Sequence, residues 1–123
     1  MEDILEEQRI RHAKIFEALG MSIIEIHLGK ELLCIADKEQ DKNIMKEIAT
    51  LRLNFDKEFG IVVPKIGIKE KPLLLQNQYI IKYRDITRIN NFVEEAKMKN
   101  KESINELINA VIRDLKTVLK KQT

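Results

Sequence analysis

The sequence predicts an α+β fold, a two-layer sandwich of about four strands packed with helices in the order α-β-β-α-β-β-α. Three observations carry that expectation. Apolar residues recur at helical spacing over 44–59 and again over 104–119. Ile24, Ile26 and Leu28 alternate with Glu25 and His27, the period of a half-buried strand. Between these patterns lies Leu51–Tyr83, LRLNFDKEFGIVVPKIGIKEKPLLLQNQYIIKY, in which a helix ends at a glycine, a strand is interrupted by a proline, and an apolar loop leads to a second strand.

Taken in order, residues 2–19 read as a helix. Ile4, Leu5, Ala13, Ile15, Phe16 and Leu19 give it an uneven apolar face, and Gly20 is its stop. Glu2, Asp3, Glu6 and Glu7 suit the positive end of its dipole. Residues 22–37 read as a β-hairpin turning at Gly29-Lys30, its second strand being Leu32–Ala36 and closing at Asp37. Asp41 or a neighbour starts the next helix, whose face is Ile44, Ile48, Leu51, Phe55 and Phe59, widened by Met45 and Ala49. Gly60 is its expected left-handed cap.

Ile61-Val62-Val63 favours strand, but Pro64 cannot donate to a ladder, so this part belongs at a sheet edge or ahead of the strand proper. Gly67, inside the strand that follows, marks a bulge or a close contact. Leu73, Leu74 and Leu75 form an apolar loop before a turn at Gln76-Asn77, and Tyr79–Ile86 is the next strand. Residues 87–102 read as a polar connection. Ser103 and Glu106 form a capping box ahead of the stripe Ile104, Leu107, Ile108, Val111, Leu115, Val118 and Leu119. The organisation expected is an N-terminal helix over 1–20 and one α+β domain over 21–123.

Composition narrows the function classes. The 123 residues include 22 basic and 20 acidic ones, leaving a formal charge of +2, which is too little to attract a polyanion. A small α+β domain that binds RNA or DNA is an alternative, since such domains stack bases on sheet aromatics and Tyr79 and Tyr83 share a strand face. A stand-alone dimerisation module is another. The single cysteine, Cys34, has no disulfide partner and reads as a buried structural thiol. No apolar run approaches the roughly 20 residues that span a bilayer, and the acidic N-terminus lacks a signal core, so the default location is cytoplasmic. His12 and His27 are isolated and read as solvated side chains. Glu25 and Asp37 could be imagined as paired carboxylates, but nothing marks a pocket around them. No catalytic, metal-binding or cofactor-binding residue is expected, and the chain does not read as an enzyme.

Several ordered motifs resemble those of one family. Ile24-Glu25-Ile26-His27-Leu28-Gly29 followed by Leu32-Leu33-Cys34-Ile35-Ala36-Asp37 resembles an "LEIGY-x-LI-x-LVD" opening. Gly60-Ile61-Val62-Val63-Pro64 resembles "G-[FI]-[VL]-VP", and Leu75–Tyr79 with Ile81-Lys82 resembles "L-x-PN-x-Y-x-IKI". Their order and spacing are similar to the first cytoplasmic subdomain of the FlhA family of type III export-gate proteins, which includes InvA- and EscV-type members. The resemblance covers about half of the chain. It implies a protein-interaction domain of the flagellar or virulence export apparatus, whose family builds a ring below the gate and docks chaperone–substrate complexes in a cleft between its first and second subdomains. The family's membrane helices and later subdomains have no counterpart in these residues, and only the segment 87–102 stands where the second subdomain would be inserted. The expected partners are export-apparatus proteins or another copy of the chain. Leu73, Leu74 and Leu75 are the candidate contact residues, the competing reading being a loop folded back onto the core. Gly60 and Pro64 are expected to serve a structural turn.

Overall fold

A computed structural model describes residues 22–37, 39, 42–93 and 101–122, with residues 8 and 11. The expected helix over 2–19, and His12 within it, lie outside the described residues apart from those two positions. The elements are β1 (Ile24–Leu28), a 3₁₀ segment (Lys30–Ala36), α1 (Ile44–Phe59), β2 (Ile66–Glu70), β3 (Gln78–Tyr83), β4 (Ile86–Phe92) and α2 (Lys101–Gln122). The four strands form one mixed sheet in the order β2-β1-β3-β4. β1 pairs parallel with β2 and antiparallel with β3, and β3 pairs antiparallel with β4. The α+β architecture with four strands is as expected; the identity of two elements is not.

The first correction is at Leu32–Ala36, which is 3₁₀ helix and not the second strand of a hairpin. Both sides of β1 are already taken, by β2 and β3, so this segment has no ladder to join. It leaves the sheet at Gly29 and buries Leu32 and Ile35, whose three-residue spacing matches the 3₁₀ period. The second correction is at residues 86–92, expected as the end of one strand and a connection. Here Tyr83↔Ile86 closes a two-residue turn, and β4 follows as an edge strand. The turn residues Arg84 and Asp85 both have positive φ, 51° and 65°, as a type I′ hairpin turn requires. Residues 94–100 lie outside the described residues.

One face of the sheet carries the core. Ile24, Ile26 and Leu28 are fully buried, beside Ile66, Tyr79 and Ile81 of the flanking strands. α1 contributes Ile44, Ile48, Leu51 and Phe55 to the same cluster, and α2 contributes Leu107, Ile108, Val111, Leu115, Val118 and Leu119. Tyr79 Oη donates to Asp114 Oδ2 at 2.5 Å, and Asn91 Nδ2 donates to the same oxygen at 2.8 Å, so α2 is tied to β3 and β4 by polar bonds as well as packing.

Helix ends agree with the sequence in one case and differ in another. Asn43 caps α1, its side chain accepting from the Lys46 N–H at 3.1 Å. Gly60 ends α1 at φ 63°, the left-handed cap anticipated. Phe59, Met45 and Ala49, expected on the apolar face, are exposed instead; Phe59 leans on Phe55 with ring centroids 5.3 Å apart. α2 already includes Lys101, so Ser103 sits inside its first turn and is not the N-cap.

Candidate protein-contact site

The loop between β2 and β3 is held rigidly by its backbone. The Lys71 N–H donates to the Leu28 carbonyl at 3.0 Å as the chain leaves β2. Two turns follow, Leu74 N–H to the Lys71 carbonyl and Gln78 N–H to the Leu75 carbonyl, each 3.0 Å. Gln78 Oε1 accepts from the Leu75 N–H at 3.1 Å. The loop also rests on the start of the 3₁₀ segment, where the Gly29 N–H donates to the Gln78 carbonyl at 2.8 Å and the Glu31 N–H to the Gln76 carbonyl at 2.9 Å. A Cβ at residue 29 would lie 2.1 Å from the Leu75 carbonyl oxygen, so glycine is what allows this approach.

On that frame Leu73 is 101% exposed and Leu75 62% exposed, while Leu74 is half-buried. The reading in which this loop folds back onto the core therefore fails for Leu73 and Leu75. Phe92, opposite Gln78 at the end of β4, adds a further exposed ring at the same end of the sheet. It was not legible as a surface aromatic, because residues 87–102 read as connection.

The Gly60–Pro64 turn lies at the other end of β2. The Gly60 N–H donates to the Asp56 carbonyl at 3.0 Å. Arg52 Nε then donates to the Val63 carbonyl at 3.2 Å, fastening the turn to α1. Val63 enters the core while Val62 points outward. Pro64 precedes β2, an edge strand, so its missing N–H costs the sheet nothing. Gly67 makes a close contact and not a bulge, since a Cβ there would meet Ser22 Oγ at 2.9 Å.

The face of β1 opposite the core holds a polar cluster. Glu25 accepts from Lys69 Nζ at 2.8 Å, bonds His27 Nε2 at 2.9 Å, and accepts from the Ser22 N–H at 3.4 Å. Burial alone would raise the Glu25 carboxyl, but these partners, Lys69 foremost, outweigh it and hold the group at about 2. His27 is thus buried and paired, not solvated as its alternation suggested. Asp37 lies elsewhere, its carboxylate accepting from the Glu39 N–H at 3.0 Å, so Glu25 and Asp37 form no pair. Cys34 is half-buried, less enclosed than expected, and burial pushes its thiol up, away from the reactive thiolate. Tyr79 and Tyr83 lie on the core face of the sheet, and Tyr79 is 3% exposed, so they offer no stacking platform for bases. Among the described residues, no three His, Cys, Asp or Glu side chains gather as metal ligands, and no helix is long and apolar enough to cross a membrane.

The model of the FHIPEP family matches residues 2–121. The chain belongs to the FHIPEP family. A curated relative, the flagellar biosynthesis protein FlhA of Helicobacter pylori, is 28% identical over 81 residues, which take in 66% of this chain and 11% of that protein. The chain therefore corresponds to a small part of this longer FHIPEP relative. Among solved structures, the Chlamydia pneumoniae CdsV protein superposes with a TM-score of 0.52 at 20% identity, covering 58% of this chain and 24% of that one. CdsV in its complex with CdsO gives 0.51 at 17% identity, with 58% and 22% covered. These likenesses establish a shared fold. The family assignment agrees with the resemblance read from the ordered motifs of residues 24–86.

Proposed function

We propose that this chain is a non-enzymatic, cytoplasmic protein-interaction domain of a flagellar or type III export apparatus, with Leu73, Leu74 and Leu75 making the contact. Family membership supports the setting. The relative named as a flagellar biosynthesis protein points the same way, as does the neighbour captured in complex with a second protein. The observation that carries the contact surface is Leu73, fully exposed on a loop whose backbone is already hydrogen-bonded. A rigid loop loses little conformational freedom on binding, so burying its leucines translates into affinity. The exposed apolar residues also favour a protein surface over a nucleic acid, which the near-zero charge balance would not attract.

The proposal extends to domain organisation, with residues 21–123 acting as one unit and residues 1–20 preceding it. The partner is an export-apparatus protein or a second copy of the chain. The test is binding of purified export-apparatus proteins from the same source to the wild type and to a Leu73→Asp, Leu75→Asp double variant, with light scattering to follow self-association. The proposal expects at least a tenfold loss of affinity or of dimer at unchanged stability, corresponding to a loss of about 1.4 kcal/mol. Full retention of binding by the double variant would remove the loop from the interface.

A further inference from the structure

We draw no further inference here: the strongest candidate, the exposed apolar rim of Leu73, Leu75 and Phe92 where the β2–β3 loop meets the end of β4, extends the contact surface already proposed, and nothing in the structure shows what covers it.

Discussion

Glu25 sits in the central pair of strands, nearly enclosed, and stays ionised because three donors converge on its carboxylate. Its folded value of about 2 lies below its ordinary 4.5, so folding favours the charged form. The associated stability is fully present above about pH 5, declines as pH falls through the ordinary value, and is gone below the folded one. Lys69 is partly exposed and solvent screens its share, so the contribution is about 2 kcal/mol and not the full amount the shift implies. Glu25→Gln should accordingly lose about 2 kcal/mol at pH 7 and show a flatter stability profile between about pH 5 and 2 than the wild type. Urea unfolding across that range measures both. A second residue-scale expectation concerns Tyr79, whose hydroxyl donates to Asp114 and accepts from Asn91. Tyr79→Phe should cost about 1–2 kcal/mol, less than the loss of a buried charge partner, because Asn91 still donates to Asp114. Its thermal unfolding midpoint reports the difference.

At the scale of elements, the β3–β4 hairpin carries a local conflict. Its turn places Arg84 and Asp85 at positive φ, where β-carbons meet steric cost; Asp tolerates this region better than Arg, but the second turn position favours glycine. Asp85→Gly relieves one of them. It also gives up the 3.5 Å Lys82–Asp85 pair, which is exposed and contributes little. The expected net gain is about 0.5–1 kcal/mol, measured as a raised denaturant midpoint at constant slope. The same conflict explains why β4 was hard to read. Ile86, Thr87, Ile89 and Phe92 favour strand, but Asn90 and Asn91 do not and almost no position is buried, so no half-buried alternation marks β4 and pairing with β3 imposes its conformation. The register also shifts at Ile81/Lys82, which breaks the alternation a strand would display. By contrast, β1, α1 and α2 were legible because their apolar residues follow the periods of the elements, although β1 is buried on both faces. Leu32–Ala36 misled because a short apolar run has no period of its own, and only the occupied flanks of β1 decide its fate. Within the site, Leu73–Leu75 could be singled out from the sequence, whereas the pairing of Glu25 with Lys69 depends on β1 and β2 lying side by side across 40-odd residues of chain.

At the scale of the molecule, the sheet is backed by α1 and α2 on its core face, and the β2–β3 loop stands at one end of it, presenting leucines that the fold does not use. The core is complete without Leu73 and Leu75, which leaves them to a partner under the proposed function. The most direct test places a photo-crosslinking residue at position 73 in cells of the source organism, with a control at the exposed Lys116 of α2. Ultraviolet-dependent adducts are expected from position 73, identified by mass spectrometry as export-apparatus proteins or a second copy of the chain, and none of them from position 116. Adducts at position 73 that match the control, or that contain only proteins unrelated to export, would contradict the proposed contact.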